Sequence, residues 1–222
     1  MLESTGLSGT HHAAPVYTAG EPLESAAAVL ILLHGRGATA RGILELAREL
    51  HQPEFAYLAP QAAANSWYPY SFLAPLASNE PWLSSALEAV EREVGQAEEA
   101  GVPAERIVLG GFSQGACLAS EFVARHARRY GGLLVFSGGL IGPPGTPRNY
   151  AGSLDGTRVF LGCSDTDPHI PKARVDETAA TLERMGGQVV KRLYPGMGHT
   201  VNSDELKQAR AILRGLDTTL QK

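Results

Sequence analysis

The stretch Gly110 to Leu118, "GGFSQGACL", sets one serine between two glycines. Before it lies the apolar run "RIVL" (Arg106 to Leu109), and after it comes a small-residue segment with Leu118, Phe122 and Val123 on one helical face. Strand, sharp turn and helix fit both flanks. Gly111-Phe112-Ser113-Gln114-Gly115 matches G-x-S-x-G, in which the glycines let the chain turn tightly and a strained serine projects above a sheet. The competing reading is a tight strand-to-helix connection whose serine merely caps the helix. The surrounding pattern favours the first.

Working outward, the same alternation runs from residue 28 to the end. "AAVLILLHG" (Ala27 to Gly35) predicts a buried strand, followed by a helix with Ile43, Ala47 and Leu50 in register. "FAYLAPQ" (Phe55 to Gln61) predicts a second strand, and the aromatic "NSWYPYSFLAP" after it, with two prolines, predicts a loop. A helix from Pro81 puts Leu83, Leu87, Val90 and Val94 on one face, with Glu88, Glu91 and Glu93 elsewhere. Beyond the serine, "GLLVFSGG", "RVFLGC" and "QVVKRLYPG" predict further strands; "GPPGTPRNYAGSLDG" is irregular. A helix carrying Val175, Ala179, Leu182 and Met185 and a last one from about Asp204 to Leu216 complete the series. The fold class is α/β: a mostly parallel sheet with helices on both faces. No repeat or composition shift marks a boundary, so residues 1–222 read as one domain, with residues 1–26 an N-terminal segment and edge strand.

Composition narrows the function. With 44% hydrophobic and 19% charged residues, the chain has the make-up of a globular protein with a packed core. A net charge of −4 with scattered basic residues argues against nucleic acid as a partner. No apolar run reaches the length of roughly 18 residues that a membrane span needs, and the start lacks a leader pattern, so the expected location is cytoplasmic. Cys117 and Cys163 are too few for a disulfide framework and read as small buried hydrophobes. The histidines form no ligand array, so no metal is expected; adjacent His11 and His12 are expected to be solvated.

A serine hydroxyl needs a base, a group that orients the base, and donors for a developing oxyanion. In this fold class the order is serine, acid, histidine. Of the histidines after Ser113, His126 sits on the helix and His169 precedes one. His199, in the glycine-rich "YPGMGHTV" behind the last strand, is free to swing over the elbow. Between serine and histidine, Asp155 precedes its strand and Asp176 lies inside a helix; Glu121, Glu177 and Glu183 are on helices and expected to face away. Asp165 and Asp167 in "CSDTDPHIP" both stand at a strand's carboxyl end, where either can fix the imidazole tautomer or cap the next helix.

"LHGRGA", "GFSQGA", "DPHIP" and "GMGHTV", in that order, resemble the phospholipase/carboxylesterase family of α/β-hydrolases, which includes bacterial carboxylesterases and acyl-protein thioesterases. The likeness runs from Ala27 to about Leu216. It implies an α/β-hydrolase fold and hydrolysis of carboxylic esters through Ser113, Asp167 and His199. The chain lacks the length for a large cap domain, which points to an open pocket and small to medium esters. Asp167 is picked over Asp165 because Asp167-Pro168-His169-Ile170-Pro171 matches the family's D-P-V-V-P-like segment. The resemblance also assigns oxyanion donors to the backbone N–H groups of Arg36 and Gln114, and gives His34 a loop-shaping role.

Two departures from the family bear on substrate. Arg36 stands where an apolar residue is common; its side chain can bond across the site, favour anionic substrates, or simply point to solvent. Trp67-Tyr68-Pro69-Tyr70-Ser71-Phe72 replaces the W-F/Y-D segment of the thioesterase branch, which weakens that assignment. Trp67, Tyr68, Phe72, Leu73, Leu140 and Ile141 are candidates for an apolar substrate pocket, although half of them can equally pack the loop onto the domain. Cys117 lies beyond the elbow, which disfavours the dienelactone hydrolases that use cysteine as nucleophile. The alternatives are a thioesterase or lysophospholipase acting on longer chains and, in another class, a non-catalytic ligand receptor. No cofactor is implied; the expected partner is a small-molecule ester, and the expected state a monomer or homodimer.

Overall fold

A computed structural model describes residues 10–217; the segment before residue 10 lies outside them. The strands are β1 (Val16–Gly20), β2 (Ala28–Leu33), β3 (Phe55–Pro60), β4 (Ile107–Phe112), β5 (Gly132–Phe136), β6 (Arg158–Ser164) and β7 (Gln188–Tyr194). The helices are α1 (Ala40–Glu49), α2 (Trp82–Glu99), α3 (Gln114–Arg125), α4 (Lys172–Arg184) and α5 (Ser203–Asp217). The described strands form one sheet in the order β1-β3-β2-β4-β5-β6-β7. Only β1, the expected edge strand, is antiparallel.

The unbroken apolar runs follow from burial on both faces. In β2, Val29, Ile31 and Leu33 pack with Leu83 and Val90 of α2 and Leu118 and Phe122 of α3. Their neighbours Ala28, Leu30 and Leu32 face Ala47 of α1 and Leu213 of α5. Each such leucine or isoleucine contributes about 1.5–3 kcal/mol. Glu93, placed by its charge off the apolar stripe of α2, is buried nonetheless, and burial pushes its carboxyl up to about 7. Its position three residues after Val90 and four before Ala97 puts it on the margin of the face that the sheet covers.

Residues 137–157 join β5 to β6 with neither helix nor strand. Leu140 and Ile141 occupy the layer where a crossover helix would lie, and both are fully buried. Side chains of α3, α4 and the crossover itself satisfy their backbone. Leu140 N donates to Thr178 Oγ1 at 3.0 Å and Ile141 N to Glu121 Oε2 at 3.0 Å. Arg174 and Arg148 donate to the two carbonyls. Glu121, expected to face away on its helix, is on α3 a buried anchor and not a surface charge.

At the elbow, Ser113 takes φ 56° and ψ −119° between β4 and α3. This is a left-handed conformation that costs a non-glycine residue of order 1–3 kcal/mol. Ser113 N donates to Phe136 O at 3.0 Å, and Cys117 N to Ser113 O at 3.0 Å. A Cβ on Gly111 would sit 2.6 Å from the Leu33 carbonyl oxygen, and one on Gly115 would overlap that same carbonyl. The glycines therefore let α3 start directly against β2. Gly115→Ala is expected to lower stability by about 3 kcal/mol through overpacking against immobile backbone. Urea unfolding checks this: a midpoint unchanged from wild type contradicts it.

Candidate active site

The parallel strands end on one side of the sheet, and three of the segments that leave them converge there. β4 delivers Ser113, the segment after β6 delivers Asp167, and the segment after β7 delivers His199. His199 Nε2 lies 2.9 Å from Ser113 Oγ, and His199 Nδ1 lies 2.7 Å from Asp167 Oδ2. The second oxygen of Asp167 accepts from His169 N at 2.8 Å and Ile170 N at 3.0 Å. One carboxylate thus fulfils both roles open to it in the sequence, binding the imidazole and closing the turn before α4. Burial raises its carboxyl, yet the bonds from His199 and the two amides outweigh this and hold it below the ordinary value. An ionised Asp167 makes Nδ1 the protonated nitrogen, which leaves Nε2 to accept from the serine hydroxyl.

Asp165 lies outside this relay. Its Oδ1 accepts from Gly196 N at 2.9 Å, so it ties down the loop that carries His199. His126 closes α3 and stacks on Phe122, with ring centroids 4.4 Å apart. Asp176 pairs with Lys191 and Lys172, and Asp155 sits at a turn.

Ser113 opens into a cleft of ≈ 480 Å³. Arg36 and Gln114 both line it together with the serine. Gln114 opens α3, so its N–H is among those without an intrahelical acceptor. The side chains of both residues have a structural role that no local pattern disclosed. Gln114 Oε1 accepts from Trp67 N at 3.0 Å while its Nε2 donates to Tyr68 O at 2.8 Å, clamping the aromatic loop to the elbow. Arg36 donates to Ser66 Oγ, Pro69 O and Tyr70 O of the same loop, so it does not simply point to solvent.

The substrate-pocket candidates divide. Tyr68 and Phe72 line the cleft; Trp67, Leu73, Leu140 and Ile141 are not among its lining residues. Leu140 and Ile141 belong to the helix-free crossover, and Leu73 is half-buried against the core. Trp67 is held elsewhere: its Nε1 donates to His34 O at 2.9 Å, and His11 and His34 stand at ring-centroid distances of 5.5 and 5.2 Å. His11, expected to be solvated, is therefore buried, bonded through Nε2 to Trp67 O and through Nδ1 to Ala63 N, while His12 is exposed. His34 is likewise buried, with Nδ1 on Gly35 O and Nε2 accepting from Ala62 N. Burial lowers both imidazoles, which favours neutral rings that brace the loop.

Sequence reasoning missed Phe112, Cys117 and His169 as cleft residues, whereas Tyr70, in the aromatic stretch already singled out, lines the cleft. Two had a signal: Cys117 is one helical turn beyond Ser113, and His169 follows Asp167 by two positions. Phe112 had one as well, since it ends β4 and directly precedes Ser113. Burial pushes the Cys117 and Cys163 thiols up to about 12, away from nucleophile or metal chemistry. Among the described residues no group of three or more His, Cys, Asp or Glu side chains can hold a metal, and no helix is long and apolar enough to cross a membrane.

The profile of the family described as Phospholipase/Carboxylesterase matches residues 18–216. The crystal structure of a phospholipase/carboxylesterase from Dyadobacter fermentans is 44% identical with a TM-score of 0.87, covering 93% of this chain and 97% of that one. Acyl-protein thioesterase 1 of Saccharomyces cerevisiae is 27% identical over 218 residues, covering 86% of this chain and 94% of the yeast protein. Acyl-protein thioesterase 1 of Gibberella zeae is 33% identical over 122 residues, a match that takes in 52% of this chain and 50% of that relative.

Proposed function

Because the chain belongs to the phospholipase/carboxylesterase family of α/β-hydrolases, and is thereby a hydrolase of the ester type, we propose that it is a serine carboxylesterase acting through an acyl-enzyme. One observation carries the reading: the continuous relay from Ser113 Oγ through His199 to Asp167, at 2.9 and 2.7 Å.

In the proposed cycle His199 Nε2 takes the Ser113 proton as Oγ attacks the ester carbonyl. The amides of Arg36 and Gln114 receive the oxyanion, and Asp167 stabilises the imidazolium. Collapse expels the alcohol, which takes the proton from His199. Water, deprotonated by the same imidazole, then attacks the acyl-serine and frees the acid. The protein supplies position and prearranged dipoles, so no step needs a cofactor.

Small to medium esters suit a cleft of ≈ 480 Å³ whose apolar walls are Tyr68, Phe72 and Phe112. The similarity to acyl-protein thioesterases favours a second reading, thioester or lysophospholipid hydrolysis with longer chains. A series of 4-nitrophenyl esters from acetate to palmitate, run beside matching thioesters, separates the two. The expected outcome is the highest kcat/KM with short oxygen esters; a preference climbing toward long chains or thioesters overturns it. Mass spectrometry after treatment with a fluorophosphonate addresses the non-catalytic receptor, since a folded protein left unmodified at Ser113 would fit only that alternative.

A further inference from the structure

Resting on the esterase reading, we infer that the preferred ester carries a carboxylate, bound by the Arg36 guanidinium at the rim of the cleft. Arg36 is exposed and lines the same cleft as Ser113. Its bonds go to Ser66 Oγ at 3.2 Å, Pro69 O at 2.7 Å and Tyr70 O at 2.5 Å. All three acceptors are neutral. Among the described residues no carboxylate pairs with this guanidinium, whereas Arg148, Arg174 and Arg125 each pair with one. A guanidinium has five N–H donors. Three bonds leave donors to spare and the full charge uncompensated.

The surroundings point the same way. Among the described residues no acidic side chain lines the cleft; its basic members are Arg36, His169 and His199, in a chain whose net charge is −4. Asp167 stands behind His199 with its side chain fully buried and both oxygens bonded. The aromatic walls are of low polarizability next to water and concentrate the field of a single cation. The charge is also not required for bracing, since neutral groups already hold the loop: Gln114 bonds Trp67 N and Tyr68 O, and Ser66 Oγ donates to Tyr68 O at 2.9 Å. The three bonds and the Tyr68 ring, 5.9 Å from the guanidinium carbon, fix the fork in place before any ligand arrives. Such a prearranged fork is suited to a planar carboxylate.

The test compares 3-acetoxybenzoate with its uncharged isostere 3-acetoxybenzamide, each kcat/KM divided by the rate of alkaline hydrolysis of that ester. In the wild type at low salt the carboxylate is expected to be favoured roughly tenfold, the scale of one charge-assisted hydrogen bond. The preference should shrink in about 1 M salt. Arg36→Gln should bring the ratio to near one, and Arg36→Lys should keep part of it. Because each ratio is taken on one variant, any general loss from loosening the loop cancels. If Arg36→Gln slows both esters equally and the preference persists, the guanidinium only braces and the inference is wrong. A wild-type ratio of one or less, with the benzamide turned over, overturns the inference and leaves the esterase reading standing. Turnover of neither ester, with no fluorophosphonate adduct on Ser113, overturns both.

Discussion

Ser113→Ala is expected to lower kcat for 4-nitrophenyl acetate by roughly 10⁵- to 10⁶-fold, the scale seen when a serine hydrolase loses its nucleophile. The hydroxyl is the atom that forms the acyl bond, and His199 Nε2, 2.9 Å away, has no other hydroxyl among its hydrogen-bond partners. The fold should survive. The bonds that hold the elbow use Ser113 N and Ser113 O, which alanine keeps, and the left-handed backbone strains both residues alike. The readouts are therefore kcat, fluorophosphonate labelling and a urea unfolding curve on the same preparation. Labelling should vanish while the unfolding free energy taken from the urea curve stays within about 1 kcal/mol of wild type, the cost of one lost side-chain hydrogen bond. Adding His199→Ala should cost little more, because the two residues act as one unit. Hydrolysis at the wild-type rate by a folded Ser113→Ala protein would refute the proposed mechanism.

Asp167→Asn should come next in size, at about 10⁴-fold in kcat. The amide can donate where the carboxylate accepted, which turns the imidazole into the wrong tautomer and strips Nε2 of its lone pair for Ser113. The comparison with Asp165→Asn makes the test specific. Both aspartates follow β6, yet only Asp167 reaches His199; Asp165 accepts from Gly196 N. Asp165→Asn should therefore cost far less, through a looser His199 loop. Equal losses from both variants would place the effect in the loop and not in the tautomer. Stability gives a second signature. A carboxyl held below its ordinary value stabilises the fold fully above the unfolded carboxylate range, and that contribution fades as pH falls through the folded value. Asp167→Asn should remove this part of the acid dependence.

What the amino-acid sequence determined by itself is the fold class and the place of the candidate site. Six consecutive apolar residues in β2 require a strand covered on both faces, and Gly111 and Gly115 are needed wherever a helix starts against a neighbouring strand's carbonyl. These signals are local: each is written within a few residues and enforced by sterics or by periodicity. The order of Ser113, Asp167 and His199 was legible for the same reason, since each stands just past a predicted strand end. Asp165 and Asp167 remained equivalent on position alone, and a family resemblance separated them.

Only the tertiary structure decided which side chains face the cleft. Trp67 and Tyr68 are adjacent and aromatic, but a bond to His34 O takes the first into the core while the second lines the site. His11 is buried because Trp67 O and Ala63 N meet its ring, partners more than fifty positions away. Arg36 likewise could not be oriented until Ser66, Pro69 and Tyr70 were brought around it. The physical reason is common to all three: a polar side chain turns toward whichever acceptors the packed chain places within about 3 Å, and periodicity carries no information about partners supplied by a distant segment.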